Sequence, residues 1–408
     1  MTPKGKFEFI AGVAGTGKSW LVRERAKNSS GVKLTASTGI AAVNLASEDY
    51  TVTTINSLLW YYDTASLEDA WSSGKLDTAL RKLYYDQGTR EIILDEVSML
   101  SGEQLNIILQ GIDFLNDNAE RSMDPMGLTL VGDFCQLPPV SADAEGFAFE
   151  CSRWNRFEAN TKILTEIKRQ TDREFIEALG YVRSGNADMA TDYFSQFMVP
   201  RNDIDFEGTS IRAKNVHVDR HNALRLDRLS TPIHRFTTER SGTQLPEWKK
   251  NIPEVVEVKE GALVMLLVNK SINYGDYKEF LYVNGDLGHV EGATEETCFV
   301  RLIRTGEQVE VEYTTKENAI LGKNNQKVVI GECHHMPLRL GWASTVHKAQ
   351  GLTVDRAQID LTNHFFGNPG MAYVALSRAR TPEGLTIVGK PEVFMRRIAV
   401  DDRVRRWL

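Results

Sequence analysis

The most specific chemical signal in the sequence is a glycine-rich segment, GVAGTGKS, at residues 12–19. It fits the pattern G-x-x-x-x-G-K-[ST], and it stands where that pattern requires, between an apolar run at 7–11 and a helical pattern at 18–26. Glycines allow backbone N–H groups to surround phosphates, the lysine neutralises the β/γ charge, and the final hydroxyl can hold Mg²⁺. The segment predicts a nucleoside triphosphate site whose binding residues are Gly12, Gly15, Thr16, Gly17, Lys18 and Ser19.

Two adjacent carboxylates, Asp95 and Glu96, follow the apolar run at 92–94. At the end of a buried strand near the glycine-rich segment, Asp95 would join Ser19 at a metal ion, and Glu96 would orient or deprotonate an attacking water. An ordinary solvated turn is the alternative interpretation. The phosphate-binding pattern upstream favours the catalytic one.

A third candidate is Gln136, in the segment LVGDFCQLPP at 130–139. The run ends a strand in a loop that two prolines restrict. Gln136 could reach a γ-phosphate from there, although a single glutamine is more often a surface amide.

The amino-acid composition limits the classes of protein to which the chain can belong. The chain has 408 residues, 42% hydrophobic and 25% charged, which predicts two to three folded domains and argues against wholesale disorder. The 48 basic and 55 acidic residues give a net charge of −7, so any nucleic-acid binding must use a local basic track. The longest apolar runs are strand-sized, well below the roughly 20 residues of a membrane helix, and no signal peptide precedes them. We therefore expect a cytoplasmic protein with no membrane partner.

Cysteine usage predicts no disulfide framework and no zinc ribbon, because the four cysteines are scattered without a CxxC pair. The cluster Cys333, His334 and His335 is the one metal-like signal. Adjacent residues in an extended segment point to opposite faces, and no second cluster completes a ligand set. We expect no metal there.

The order of apolar strands and helical patterns predicts an α/β fold with parallel sheets. In the first third, strands are predicted at 7–11, 32–36, 92–94 and 128–131, and helices at 18–26 and 40–46. A second α/β set is predicted from about residue 161, with an amphipathic helix at 173–183. We predict domain 1 over residues 1–155 and domain 2 over 156–408.

Two insertions interrupt this pattern. An aromatic-rich stretch at 60–88 forms the first, and closely spaced strands with Gly turns such as Asn284-Gly285 indicate a small β-barrel at 252–330.

The residues named so far define a P-loop ATPase. A molecular switch or an AAA-type machine would fit them equally well.

The C-terminal half of the chain distinguishes between these classes of P-loop ATPase. Residues 342–355, WASTVHKAQGLTVD, and 372–380, AYVALSRAR, closely resemble motifs V and VI of superfamily 1 helicases. Residues 35–42 resemble motif Ia and residues 164–170 resemble motif IV. The order and spacing are similar to superfamily 1B, the PIF and RecD-like branch that includes the phage Dda helicase, from residue 9 to about residue 388.

The resemblance implies two RecA-like domains that enclose ATP and Mg²⁺. Lys18 and Ser19 would contact the phosphates and the metal, Asp95 would complete the metal shell, and Glu96 would be the catalytic base. Gln136 would sense the γ-phosphate. Arg169 and Arg378 would reach across from the second domain as arginine fingers, which couples hydrolysis to domain closure.

The same resemblance assigns the insertions and the strand contacts. The insertion at 252–330 would be an SH3-like β-barrel, and the one at 60–88 would carry the pin or wedge that splits a duplex; the alternative is that its rings pack an inserted helix. Single-stranded DNA would be contacted by Thr38, Thr54, Thr345, His347 and Lys348. A buried structural role is the alternative for His347.

Two departures from the family pattern carry expectations. Eleven residues precede Gly12, which leaves no room for the helix whose glutamine reads adenine in relatives, so we expect looser nucleobase selectivity. Asn56 stands where the family's motif Ib often has His, so we expect a small change in strand grip.

The arginine-rich C-terminal segment at 394–408 could contact nucleic acid or, as the favoured alternative, form a docked helix with a charged outer face.

These observations predict a monomeric, ATP-dependent 5′→3′ DNA helicase, acting on single strands and duplex junctions in a bacterial or phage-infected cytoplasm. A single-strand binding protein or the replication machinery would be its partner. Two alternatives stay open: a strand translocase or RNA-directed motor without robust DNA unwinding, and a nucleotide-gated nucleic-acid-binding module.

Overall fold

The structure is a computed structural model that describes residues 5–46, 52–120, 122–245, 248–249, 252–274, 277–282, 284–321 and 327–407. The chain divides into two compact units. The first comprises residues 1–169, 245–247 and 319–328, and the second comprises residues 170–244, 248–318 and 329–408. Each unit contains its own parallel sheet with helices, as the predicted α/β fold requires.

The first unit is built on a six-stranded sheet with the order β3-β2-β4-β5-β1-β6. Its registers are parallel throughout, so the carboxyl ends of all its strands lie at one edge. The central strands are apolar and buried on both faces, which is typical of parallel sheets covered by helices. The strands are β1 (Phe7–Gly12), β2 (Val32–Ala36), β3 (Thr53–Thr54), β4 (Glu91–Asp95), β5 (Gly127–Gly132) and β6 (Thr161–Leu164).

Helices of the first unit connect these strands. The longest, Gly102–Asn118, buries an apolar stripe that includes Leu105, Ile108 and Ile112. The α-helices are Lys18–Asn28, Gly39–Leu45, Ile55–Leu58, Thr64–Ser72, Lys75–Arg81, Gly102–Asn118, Ala142–Glu145 and Asn155–Glu158, with 3₁₀ turns at Val97–Met99 and Ala148–Glu150.

The aromatic insertion at 60–88 is helical. Two helices, Thr64–Ser72 and Lys75–Arg81, pack on Gly102–Asn118, and a π-helical turn follows at Lys82–Asp86. Tyr84 is fully buried, so part of the aromatic content packs inserted helices, as the alternative interpretation states. Trp60 and Tyr62 precede these helices and are 51% and 82% exposed.

The predicted boundary at 155/156 is wrong. Strand β6 pairs in parallel with β1, with Ala11 opposite Ile163, so residues 156–169 belong to the first unit. β6 is an edge strand with mostly exposed side chains, and its local pattern does not reveal which sheet it joins.

The second unit contains a five-stranded parallel sheet in which Ala343–Thr345, Thr209–Arg212, Ala357–Asp360, Leu385–Val388 and Met198–Val199 lie side by side in that order. Its helices are Arg173–Ser184, Ala187–Phe194, Asn215–Asp227, Val346–Ala349, Met371–Leu376, Pro391–Met395 and Asp402–Trp407, with 3₁₀ turns at Ser195–Phe197, His364–Gly367 and Pro382–Gly384.

Antiparallel strands between residues 233 and 340 form the second insertion. Its largest sheet has five strands, ordered Gln308–Glu312, Thr297–Leu302, Leu287–Ala293, Leu263–Leu266 and Leu338–Leu340. The remaining strands are Ile233–Thr237, Glu239–Gly242, Val255–Lys259, Lys270–Tyr274, Tyr277–Tyr282, Thr314–Leu321 and Lys327–His335. The insertion therefore begins before residue 252 and ends after residue 330, beyond both predicted bounds.

The turn at Asn284-Gly285 does not close a hairpin. Tyr277–Tyr282 pairs with Lys270–Tyr274, whereas Leu287–Ala293 pairs with Leu263–Leu266 and Thr297–Leu302. The backbone N–H of Gly285 donates to the carbonyl of Leu266 at 2.8 Å, so the turn is bound to the strand Leu263–Leu266.

The C-terminal segment forms two short helices, Pro391–Met395 and Asp402–Trp407, which bury Phe394 and Val404. Arg403 pairs with Asp401 at 2.8 Å. The docked arrangement is therefore the one that the structure shows. Among the described residues, no helix has the length and apolarity needed to cross a bilayer.

Candidate nucleotide-binding site and nucleic-acid interface

The glycine-rich loop forms a closed turn at the carboxyl end of β1. Gly15 and Gly17 adopt φ values of 85° and 81°, in the left-handed region that favours glycine. The Lys18 ammonium donates to the carbonyls of Gly12 at 2.7 Å and Val13 at 3.1 Å, and the Thr16 hydroxyl donates to Val13 at 2.9 Å. These bonds hold the loop in a curved form that can surround a phosphate chain.

Steric space requires a glycine at position 12. A Cβ built at this position would lie 2.6 Å from the Thr16 hydroxyl and 3.1 Å from the Leu164 Cβ. The backbone of the loop can therefore lie against β6 only because residue 12 has no side chain.

Ser19 and Asp95 meet at the carboxyl edge of the first sheet. The Ser19 hydroxyl donates to one Asp95 carboxylate oxygen at 2.8 Å, although the two residues lie on different elements. Hard oxygen donors of this kind are the ligands that Mg²⁺ prefers. The predicted metal pair is thus brought together, and its chemistry fits a magnesium ion carried by a triphosphate.

Glu96 holds an unusual backbone conformation at the end of β4. Its φ and ψ are 56° and 45°, in the left-handed region, where a non-glycine residue is disfavoured. Its N–H donates to the second Asp95 oxygen at 2.8 Å, and its carbonyl accepts from the Ser37 hydroxyl at 2.6 Å. Neighbours on both sides therefore stabilise the strained residue that is the candidate catalytic base.

Asp133 was not predicted as a site residue from the sequence. It follows β5, which lies between β1 and β4 in the sheet, and it is buried beside Gln136, whose N–H donates to its carbonyl at 3.0 Å. Gln136 is itself 4% exposed, so it is not a surface amide. The signal was available, because an acid that ends a central strand must lie at the same edge as Asp95.

Burial and charge oppose each other at Lys18. Burial lowers the pKa of its ammonium, whereas the carboxylates of Asp133, Glu96 and Asp95 raise it, and Arg169 lowers it. Burial also raises the pKa of Asp95, which the hydrogen bond from Ser19 opposes. Three acids around one lysine give an acid-rich pocket in which added cations can balance bound phosphates.

Arg169 lies in the first unit, not the second, so the expectation that it is supplied by domain 2 is wrong. The backbone N–H groups of Lys168 and Arg169 donate to the carbonyl of Gly15 at 2.7 and 3.2 Å. The segment after β6 is therefore bonded to the glycine-rich loop, and its charge acts on Lys18.

Arg378 lies in the second unit and is 1% exposed. Its guanidinium donates to the Val374 carbonyl at 2.8 Å, the Leu352 carbonyl at 3.3 Å and the Ser377 hydroxyl at 2.7 Å. Gln170 binds the same segment through the carbonyls of Ser377 and Ala379. The bonds of Arg378 attach its guanidinium to the helix Met371–Leu376 and to Leu352.

The three threonines expected to contact DNA share one role in the structure, since each caps a short helix that follows a parallel strand. Thr38, Thr54 and Thr345 each accept a backbone N–H three residues ahead, at 3.2 Å. Thr54 and Thr345 are buried, and Thr38 is half-buried. All three lie at the carboxyl edges of the two parallel sheets.

His347 and Lys348 follow Thr345 in the helix Val346–Ala349. The residue His347 is exposed as a whole, although partial burial of its imidazole lowers the pKa of the ring. Burial, aided by the nearby Arg339, lowers the pKa of Lys348, which Asp219 opposes.

No group of three or more His, Cys, Asp or Glu side chains in the described residues could hold a metal ion. In the Cys333 cluster, the Cys333 thiol accepts from Arg240 at 3.4 Å, and burial lowers the pKa of His335 to about 4.

Comparison with known proteins agrees with this arrangement. A family described as AAA domain matches residues 1–197. A protein of Bdellovibrio bacteriovorus named ATP-dependent DNA helicase Pif1 is 30% identical over 395 residues, covering 94% of this chain and 84% of that protein. The human ATP-dependent DNA helicase PIF1 is 29% identical over 416 residues, covering 94% of this chain but 58% of that protein.

Solved structures show the same likeness. Bacteroides Pif1 in complex with ADP-AlF4 aligns with a TM-score of 0.77 at 28% identity, covering 99% of this chain and 92% of that one. Bacteroides Pif1 bound to single-stranded DNA aligns with a TM-score of 0.60 at 27% identity, covering 98% and 92%.

Fold and site together define a P-loop ATPase with two parallel α/β sheets and an antiparallel insertion. Within that class, the chain belongs to the Pif1 family of ATP-dependent DNA helicases.

Proposed function

We propose that the chain translocates 5′→3′ along single-stranded DNA and unwinds the duplex ahead of it, driven by ATP hydrolysis at the glycine-rich loop. The observation that carries this proposal is the convergence of Lys18, Ser19 and Asp95 at one sheet edge, with the Ser19 to Asp95 bond at 2.8 Å. The polarity follows from the resemblance to superfamily 1B.

In the proposed reaction, the N–H groups of the loop and the Lys18 ammonium bind the phosphates. Ser19 and Asp95 would hold Mg²⁺, which would supply positive charge to balance the charge that develops on the phosphate oxygens. Glu96 takes a proton from water as the water oxygen forms a bond to the γ-phosphorus, the bond from that phosphorus to the β–γ bridging oxygen breaks, and ADP and phosphate leave. Gln136 senses the γ-phosphate, and Arg169 and Arg378 stabilise the transition state. The buried position of Gln136 at the site edge supports its role.

For strand binding we propose Thr38, Thr54, Thr345, His347 and Lys348. The support is their shared place at the carboxyl edges of two parallel sheets, where helix N-termini and a lysine suit phosphates without reading bases. We further propose that Trp60 and Tyr62 act at the junction as the wedge, because both rings are exposed beside helices that pack on the helix Gly102–Asn118. A single copy of the chain would be sufficient.

The test uses tailed duplexes with a 5′ or a 3′ single-stranded overhang, with and without ATP. We expect unwinding of the 5′-tailed duplex only. Lys18→Ala should abolish ATPase and unwinding while leaving single-strand binding largely intact, because the change removes the phosphate-binding charge. Lys27→Ala, an exposed lysine of the same helix, is the matched control and should behave as the wild type.

Unwinding by Lys18→Ala with ATP would contradict the proposal. ATPase stimulated by RNA but not by DNA would identify an RNA-directed motor instead. DNA-stimulated ATPase without strand separation would identify a translocase, and nucleotide-dependent binding without hydrolysis would identify a binding module.

A further inference from the structure

Three neighbouring strands of the second sheet end at the same edge. Ala343–Thr345 pairs in parallel with Thr209–Arg212, with Thr345 opposite Arg212, and Thr209–Arg212 pairs in parallel with Ala357–Asp360. The chain that leaves the second strand carries Lys214, and the chain that leaves the third carries His364 and Phe365. These side chains are therefore placed along the edge that also holds Thr345.

Lys214 and Phe365 are in contact. The Lys214 ammonium lies 4.1 Å from the centroid of the Phe365 ring, and the His364 ring lies 5.1 Å from it. Phe365 is 37% exposed, whereas the adjacent Phe366 is fully buried. Phe366 therefore anchors the loop in the core, and Phe365 presents an aromatic surface outside it.

The loop that carries Phe365 is held in place by polar bonds. Arg397 donates from Nε to the Leu361 carbonyl at 3.1 Å and from Nη2 to the Thr362 carbonyl at 3.3 Å. The Asn363 side chain accepts the Phe365 N–H at 3.0 Å. A fixed ring loses little entropy on binding, which favours a role in recognition.

The local charge favours an anionic ligand with flat, apolar groups. Asp360, the acid at the end of the neighbouring strand, is paired with Arg212 at 3.0 Å. Lys214 at the ring and Arg397 behind the loop add positive charge. A cation beside an exposed ring is the combination that binds a nucleic-acid backbone and stacks a base at the same time.

We propose that Phe365 and Lys214 form a base-stacking platform for single-stranded nucleic acid, in which the ring stacks on one base and the ammonium contacts an adjacent phosphate. This platform extends the strand path beyond Thr345, His347 and Lys348, and it rests on the proposed strand-binding function. Because every base has a π face, the platform would hold the strand without reading its sequence.

The test compares Phe365→Leu with the wild type on a single-stranded DNA oligonucleotide and on an abasic strand of equal length. Stacking of one base is worth about 1–3 kcal/mol, so the variant should bind the normal strand at least about fivefold more weakly. On the abasic strand the two proteins should bind equally. Phe365→Trp should restore binding to the normal strand.

Phe114→Leu is the matched control, since Phe114 is an exposed phenylalanine of the first unit that packs on Trp71. It should bind both strands as the wild type does. Lys214→Gln should reduce the slope of log affinity against log salt by about 0.7, the loss of one phosphate contact on a single strand.

Equal loss on normal and abasic strands, or no loss on either, would overturn the platform. A Phe365→Leu protein with a lowered unfolding temperature and equal loss on both strands would show that the ring is structural. Failure of the wild type to bind any single strand would instead overturn the proposed function. A preference for an RNA strand with the same Phe365 dependence would retain the platform and change its substrate.

Discussion

At the scale of one residue, Arg378 shows how a charged side chain is accommodated inside a protein. Its guanidinium donates to the carbonyls of Val374 and Leu352 and to the Ser377 hydroxyl. These bonds offset part of the free-energy cost of burying the charge. The same bonds also connect Leu352 to the helix Met371–Leu376, so Arg378 has a structural role as well.

The arginine-finger role that we propose for Arg378 needs the planar fork that lysine lacks, so we predict that Arg378→Lys lowers kcat for ATP by about 10³-fold. The unfolding temperature should change little, since the lysine retains the charge and part of the volume. Arg380→Lys, an exposed arginine paired with Asp355, is the control and should leave kcat unchanged. A large fall in unfolding temperature with kcat preserved would assign Arg378 a structural role only.

At the scale of elements, the carboxylate of Glu8 joins three secondary-structure elements on one face of the first sheet. Glu8 is 1% exposed on β1 and binds Arg25 of the helix Lys18–Asn28 at 2.6 Å and Lys162 of β6 at 2.8 Å. Arg25 also reaches Glu91 of β4 at 2.6 Å. The network fixes the helix that begins at the phosphate-binding loop.

We predict that Glu8→Gln destabilises the first unit by on the order of 3 kcal/mol at neutral pH. Burial opposes ionisation of Glu8, but hydrogen bonds from Lys162, Arg25 and Lys6 lower its pKa from 4.5 to about 2. A lowered carboxyl pKa contributes stability that is complete above the unfolded value and is lost as pH falls towards 2. Denaturant titrations of both proteins between pH 7 and pH 2 should therefore converge at the acid end, and a pH-independent difference would contradict this account.

The sequence predicted those elements whose pattern is local. The strand Val32–Ala36 was predicted to the residue, and the helix predicted at 173–183 is Arg173–Ser184. Partners of strands are set by contacts distant in the chain, which explains the misassignment of β6 and of the turn at Asn284-Gly285. The phosphate loop and its metal pair were predicted because their residues are specified by chemistry, whereas Asp133 needed the strand order to be recognised.

At the scale of the whole molecule, the residues that we propose to bind the nucleotide belong to the first unit, and Arg378 belongs to the second. Lys18, Ser19, Asp95 and Arg169 all lie in the first unit. A ligand that binds only this unit should stabilise it by mass action and leave the other unit unaffected.

We predict that calorimetry resolves two unfolding transitions, one of which rises when MgADP is added at about 100 times its Kd. Binding at that excess contributes about 2.7 kcal/mol, which for a unit of this size corresponds to roughly 5–10 °C. Lys18→Ala should remove the rise, and Lys27→Ala should keep it. One transition that shifts as a whole would show that the units unfold together.

The left-handed backbone of Glu96 places two requirements at position 96 in conflict, namely stability and the presence of a carboxylate. Glycine would relieve the torsion at this position and stabilise the protein, yet it would remove the carboxylate that we propose as the catalytic base. Selection of variants for thermal stability alone would therefore favour a protein that lacks this carboxylate.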